Sequence, residues 1–177
     1  KGHQVIINAA KILKARGRLT DAYVAFAGKN MVDAKSIDYE EKLEASIREA
    51  GLSDTVFLLD SVDADELAAC YGEAYASLLA STRPEGLPYA NFESMLAGAP
   101  VITSRLGGPL DYIDHGENGL FIEPNVPIDL ANAIDRILSS PQLHAKIVEN
   151  GRRTAEKYSL ERMTQGYARV MTRTGKR

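Results

Sequence analysis

The sequence predicts one α/β domain in which helices cover both faces of a doubly wound parallel sheet. Short apolar runs recur between longer amphipathic stretches, and glycines stand where several of those stretches stop. Its 177 residues, 45% hydrophobic and 25% charged, are enough to bury the core of one ordinary globular domain. The alternation points to a parallel sheet because parallel strands need long crossovers, which lay helices on its faces.

Taken in order, a first amphipathic helix runs from Gln4 to Arg16 and stops at Gly17. The apolar run Ala22–Ala27 is a strand, and Lys29–Asp38 is the longest ambiguous loop. A helix over Tyr39–Ala50 ends at Gly51, and the strand Thr55–Leu59 leads through Asp60–Asp63 into a helix over Ala64–Glu73. The strand Ala76–Ala80, the loop Ser81–Pro88 and a helix over Tyr89–Ala97, closed by Gly98, come next. Val101–Thr103 is a strand, Ser104–Pro109 a loop, and a short helix covers about Leu110 to Ile113. After the strand Leu120–Ile122, three helices are predicted over Ile128–Leu138, Gln142–Lys157 and Leu160–Thr172, with Pro141 between the first two. A glycine just past a helix accepts the left-handed conformation that closes it. No linker tract or long repeat divides the chain, so residues 1–177 are read as one domain. In sheets of this class ligands bind beyond the carboxyl ends of the strands, and function is sought in the loops there.

The formal net charge of −3 and pI near 5.7 provide no whole-domain positive field, which argues against a general nucleic-acid binder. Cys70 is the only cysteine, so no disulfide forms within the chain. A reducing cytoplasmic compartment is the expectation, with Cys70 packed in the core. No apolar stretch approaches the roughly 20 residues of a membrane span, and KGHQVIINAA lacks the pattern of a signal peptide. The basic ending, Thr172 to Arg177, reads as a solvated tail that could touch anionic lipid at the inner face of a membrane.

Asp63-Ala64-Asp65 matches a metal-holding Asp-x-Asp pattern. Glu66 stands three residues after Asp63, however, and the pair is better read as a capping box at a helix start. His3, His115 and His144 lie in unlike contexts, so no metal site is expected. Ser81 or Ser94 with His115 and Asp111 could be written as a triad, but no Gly-x-Ser-x-Gly elbow is present and a hydrolase is set aside.

The informative stretch is STRPEGLPYANFESMLAGAPVITSRLGG, Ser81 to Gly108. Glu85 precedes a helix and Glu93 lies just over one turn within it, so two carboxylates can address two parts of an elongated ligand. Between them the first backbone N–H groups of the helix, near Tyr89 and Ala90, are free to meet a phosphate. This order suits a nucleotide sugar: sugar hydroxyls at Glu85, diphosphate at the helix start, ribose at Glu93. Spacing alone leaves open the plainer reading, in which Glu85 completes a turn and Glu93 is a solvated helix residue.

The whole stretch resembles the donor-site signature of the retaining glycosyltransferases that include sucrose synthases and bacterial mannosyltransferases, the glycosyl transferases of group 1. Thr82 to Gly86 matches its Glu-Gly loop, Glu93-Ser94-Met95-Leu96-Ala97-Gly98-Ala99-Pro100-Val101-Ile102 its helix and strand, and Gly107-Gly108 its Gly-Gly loop. KGHQVIINAA and HGENGLFIEP are similar to earlier and later parts of the family, so the likeness covers nearly all of the chain.

The resemblance implies a Rossmann-like domain forming the C-terminal, donor-binding half of a GT-B enzyme, whose acceptor-binding N-terminal domain lies outside this chain. It implies a nucleoside diphosphate sugar as donor, transfer to a saccharide or lipid-linked acceptor with retention of configuration, and no metal. Carried over by position, Glu85 meets the donor sugar near the reacting carbon, Glu93 the ribose and Lys1 the diphosphate. Gly86, Leu87, Tyr89 and Ala90 line the donor, and Ser61 and Val62 in the loop before Asp63 are read as lining the base pocket. The family's arginine upstream of the lysine would precede Lys1. Its Phe-Gly after Glu-Gly is Leu87-Pro88 here, and Pro88 has no backbone N–H to direct at a sugar hydroxyl. The rival readings are a sugar-nucleotide epimerase or phosphorylase of the same architecture, and a non-catalytic nucleotide-binding module.

Overall fold

The computed structural model describes residues 1–28, 34–159, 161–162, 164–165 and 168. Strands and helices alternate in the order α1 (His3–Ala15), β1 (Val24–Phe26), α2 (Ala34–Glu49), β2 (Val56–Leu58), α3 (Ala64–Glu73), β3 (Ser77–Leu79), α4 (Tyr89–Ala97), β4 (Val101–Ser104), β5 (Leu120–Ile122), α5 (Pro127–Ser139) and α6 (Pro141–Ala155). Short 3-10 turns cover Gly108–Asp111 and Glu156–Tyr158.

All strand pairs are parallel, and helices pack on both sides of them, as expected. The hydrogen-bonded ladder is nevertheless in two pieces, β1 with β2, and β3 with β4 and β5. One core spans both pieces. Val5, Ile6, Ala9 and Leu13 of α1 pack with Leu130, Ala131 and Ile137 of α5, over Val24 and Phe26 on one side and Leu78, Ala80 and Ile102 on the other. Ile7 and Ala10 turn to a second cluster with Leu43 and Ile47 of α2, Leu52 and Val56. On the opposite face Phe92 and Met95 of α4 meet Val101, Tyr112, Ile113 and Ala155. The apolar spacing of α1 thus buries one broad stripe, the arrangement that makes an amphipathic helix stable only against its sheet.

Several boundaries move for physical reasons. The strands are only three or four residues long, because a strand is defined by its partner and the ladders stop where the partner stops. Helix α2 starts at Ala34 rather than Tyr39, so the expected loop is shorter; its residues 29–33 lie outside the described residues. Pro141 opens α6 rather than merely separating two helices, since its missing N–H is not needed in a first turn, and Ser140 Oγ accepts the Leu143 N–H at 3.2 Å. The short helix near Leu110 is a 3-10 turn shifted back to Gly108. The helix predicted over Leu160–Thr172 falls largely outside the described residues.

Gly17, Gly51 and Gly98 follow α1, α2 and α4 with φ of 67°, 67° and 100°, the left-handed closures that the sequence announced. Cys70 does not pack in the core: it is exposed on α3, a helix without a fully buried residue. The half-buried positions of α3 are Leu67 and Tyr71, and Cys70 is turned past them toward solvent.

Candidate functional site

The carboxyl end of β3 gathers three segments. Gly2, just before α1, has φ 77°, and a Cβ there would lie 1.8 Å from the Ala80 carbonyl oxygen. Only glycine fits so close to backbone in this conformation. Its carbonyl accepts the Val5 and Ile6 N–H groups at 2.9 and 3.2 Å, which starts the helix and fixes the direction of Lys1. Lys1 Nζ lies 3.6 Å from Glu85 Oε1.

Glu85 is held from two further sides. The hydroxyl of buried Ser81 donates to the same Oε1 at 2.8 Å. The Gly108 N–H donates to the Glu85 carbonyl at 2.8 Å. A Cβ on Gly107 would fall 2.3 Å from that carbonyl oxygen, and one on Gly108 would fall 1.5 Å from the Gly86 carbonyl oxygen. The Gly-Gly loop therefore lies directly on the backbone of the Glu85-Gly86 turn, where any larger residue would push the two apart.

Helix α4 opens beside this turn. Pro88 is its N-cap and provides no side-chain cap; the Asn91 N–H reaches the Pro88 carbonyl at 3.1 Å. Among the described residues no partner meets the Tyr89 and Ala90 N–H groups at the positive end of the helix, a location suited to an anion. Leu87 and Tyr89 on its rim are 45% and 69% exposed, surfaces available to a ligand, and Ala90 is partly buried. The helix is anchored behind the site, where buried Asn91 donates to the Tyr112 hydroxyl at 2.9 Å. Burial pushes the Tyr112 phenol up to about 12, against the Asn91 hydrogen bond, so it stays a neutral acceptor.

Glu93 is exposed on α4, on the side of α3. It is near enough to Tyr71 that, after burial, its charge is the next cause holding the Tyr71 phenol above its ordinary value. Ser61 and Val62 lie in the coil between β2 and α3, exposed and partly buried respectively. Among the described residues no hydrogen bond or ion pair ties either to Lys1, Glu85 or Glu93. The structure thus brings Lys1, Ser81, Glu85, Gly86 and the Gly107-Gly108 loop into direct contact, places Leu87, Tyr89 and Ala90 at the adjoining helix start, and sets Glu93, Ser61 and Val62 on flanking elements.

Ser81 was visible only as a member of an unsupported triad, and its position four residues before Glu85 in one loop was the available signal for its part here. That triad does not assemble: Ser81 bonds Glu85, Ser94 Oγ donates to the Asn91 carbonyl at 3.0 Å, and His115 Nδ1 accepts the Phe121 N–H at 3.0 Å. The Asp63 carboxylate accepts the Glu66 N–H at 2.8 Å while the Asp63 N–H donates to Glu66 Oε2 at 2.9 Å, a complete capping box. Among the described residues no group of three or more His, Cys, Asp and Glu is placed to hold a metal ion, and no helix is long and apolar enough to cross a membrane.

A seryl-oriented carboxylate beside an ammonium and an uncapped helix start can bind a ligand with both hydroxyl and anionic groups. Comparison with known proteins gives the family and the fold class. Residues 1–154 match the family described as Glycosyl transferases group 1. An uncharacterized glycosyltransferase of Methanocaldococcus jannaschii is 32% identical over 137 residues, covering 76% of this chain and 35% of that protein. The crystal structure of a glycosyltransferase from Rickettsia africae superposes with a TM-score of 0.87 at 25% identity, over 99% of this chain and 45% of that one. An Anabaena protein crystallised in complex with UDP shares the fold with a TM-score of 0.88 at 24% identity, over 97% of this chain and 45% of that one. Both solved structures belong to the GT-B class, and the chain spans less than half the length of each of these three proteins. The chain belongs to the glycosyl transferases of group 1.

Proposed function

We propose that this domain holds the nucleoside diphosphate sugar of a retaining glycosyltransferase, and that an N-terminal domain of the full-length protein holds the acceptor. The observation that carries this reading is the convergence of Lys1 on Glu85 beside the uncapped start of α4. Glu85 takes the sugar hydroxyls near the reacting carbon, and Ser81 keeps the carboxylate oriented toward them. The diphosphate lies at the N–H groups of Tyr89 and Ala90 with Lys1 offsetting its charge, Gly86 and Leu87 border the sugar, and Glu93 accepts from the ribose hydroxyls. Ser61 and Val62 border the base. UDP bound to the structurally similar Anabaena protein supports a nucleotide in this fold.

Catalysis on this reading comes from orientation and from stabilising the departing diphosphate, whose growing negative charge meets the ammonium and the helix start. No metal is assigned a part, because the cationic groups proposed for the phosphates belong to the protein. Acceptors of saccharide or lipid-linked type fit the family, and the reading includes a cytoplasmic enzyme whose basic ending, Thr172 to Arg177, meets anionic lipid at the inner membrane face. Product analysis with the full-length protein tests the reading. A transferred sugar with the donor's anomeric configuration supports it, whereas an isomerised donor or phosphate-dependent cleavage identifies an epimerase or a phosphorylase. Binding without any turnover identifies a nucleotide-binding module.

A further inference from the structure

Strand β5 ends its piece of the sheet, and a second group of basic side chains gathers along its free edge. The Arg105 N–H donates to the Ile122 carbonyl at 2.9 Å, so Leu120 and Ile122 face β4 and the Phe121 N–H points away from it. An edge N–H needs an acceptor. His115 provides one, its Nδ1 accepting the Phe121 N–H at 3.0 Å. The loop that carries His115 is itself fixed: Asn118 Oδ1 accepts the Asp114 N–H at 2.7 Å, and the Gly116 N–H donates to the Gly119 carbonyl at 2.8 Å.

The bond to Phe121 sets the tautomer. A ring nitrogen that accepts carries no proton, so in the neutral imidazole Nε2 carries it and is a donor. Arg136 Nη1 of α5 nevertheless lies 3.2 Å from that same Nε2. A guanidinium has donors only, so two N–H groups face each other and call for a shared acceptor. Among the described residues no carboxylate pairs with Arg136.

A further cation stands beside them. The Arg105 guanidinium is 4.7 Å from the centroid of the Phe121 ring, and the His115 ring lies parallel to that ring with 9° between the planes. The charges of Arg136 and Arg105 both reach His115 and add to burial in holding its imidazole below the ordinary value. Glu123 offsets part of this charge, with Oε1 3.5 Å from Arg105 Nε. Asp129 is engaged with the Glu123 N–H at 3.4 Å, and Glu117 with Lys146 at 2.6 Å. Arg105, His115 and Arg136 are all exposed, within reach of a ligand.

We propose that Arg136, His115 and Arg105 form an anion site for a phosphate group, free or as a monoester, separate from the site at the start of α4. One phosphate oxygen about 2.8 Å from both His115 Nε2 and Arg136 Nη1 accepts the two facing N–H groups at once. The other oxygens meet the rest of the Arg136 fork and Arg105. A carboxylate, with two oxygens in one plane, satisfies Arg136 and His115 but leaves Arg105 to Glu123. The site is independent of the donor reading, since none of these three side chains is bonded to Lys1, Glu85 or the start of α4.

Nuclear magnetic resonance of the isotope-labelled protein at about pH 7.5, where phosphate is mostly dianionic, tests the proposal. The His115 ring should carry its proton on Nε2; a proton on Nδ1 would overturn it. Inorganic phosphate should shift His115 Nε2, the Phe121 amide and the Arg136 side chain together, with half-saturation below about 10 mM. Arg136→Gln, a change on an exposed side chain, should weaken this binding at least about tenfold, and Arg105→Gln severalfold. Methyl phosphate as tight as phosphate assigns the site to an ester, and much weaker binding assigns it to the free ion. Shifts that stay linear and are matched by chloride, equal affinity in Arg136→Gln, or acetate as tight as phosphate would each overturn the proposal. So would phosphate shifts confined to Tyr89 and Ala90, which belong to the other site.

Discussion

Lys1 and Glu85 come from distant parts of the chain, yet Lys1 Nζ lies 3.6 Å from Glu85 Oε1 because both flank the carboxyl end of β3. Gly2 seats one against Ala80, and Ser81 orients the other. Lys1 is 63% exposed, so the pair adds little to stability and is better placed to meet a ligand than to hold the fold.

The two carboxylates should divide a donor between them. Glu93→Ala is expected to weaken bare nucleoside diphosphate, and Glu85→Ala mainly the sugar-bearing donor. Loss of one charged hydrogen bond is about 1.5–3 kcal/mol, roughly tenfold or more in affinity. Calorimetric titration of each variant with nucleotide and nucleotide sugar measures the division; unchanged affinities in both variants would reject it.

Gly108→Ala should damage the site by steric means alone, since its Cβ would fall 1.5 Å from the Gly86 carbonyl oxygen. The expected loss of stability is about 1–3 kcal/mol in urea unfolding, with weakened donor binding. Gly116→Ala is the control for local cost: it has φ 82° but nothing within 4 Å of the added Cβ. It should lower stability without altering donor affinity.

Asp63→Ala separates the capping box from a metal site. Removing the cap from α3 should cost about 1 kcal/mol of stability. Nucleotide affinity should not change by more than about twofold, with or without a chelator. A requirement for magnesium or manganese that disappears in the variant would instead give Asp63 and Asp65 a metal.

Acid should weaken the fold partly through His115. Burial first, then the charges of Arg136 and Arg105, hold its imidazole below the ordinary value of 6.5, and Nδ1 accepts the Phe121 N–H. The folded state therefore binds this proton less readily than the unfolded state. The contribution of neutral His115 is complete above pH 6.5 and is lost as pH falls below it toward the lowered folded value. His3, lowered first by burial and also by the Lys1 charge, acts in the same direction. The drop in urea midpoint between pH 7.5 and pH 5.5 should be smaller in His115→Asn than in the unaltered protein; an equal drop would remove His115 from the account.

What was legible in the sequence was mostly local or periodic. Asp63 and Glu66 are three residues apart and cap one helix turn, so their spacing is their geometry. The glycines after α1, α2 and α4 announce a conformation that other residues avoid. The contacts that assemble the site are of another kind. Gly108 against Gly86 and Gly2 against Ala80 depend on where whole elements pack, and no spacing rule encodes them. Cys70 was misplaced for the same reason: an apolar side chain is buried only if a neighbour covers its face, and α3 is covered along Leu67 and Tyr71. The early start of α2 was hidden because Ala34–Asp38 carries no apolar repeat.

The central claim is that a nucleoside diphosphate rests on the start of α4 without a metal. Its most direct test is titration of isotope-labelled full-length protein with UDP, GDP and ADP in the presence of a chelator, following the backbone amides by nuclear magnetic resonance. At least one nucleotide should shift the amides of Gly86, Tyr89, Ala90 and Glu93 in a saturable way and leave Asp63 and Glu66 in place. Saturable shifts confined to other parts of the chain, or none with any of the three nucleotides until a divalent metal is added, would contradict the account.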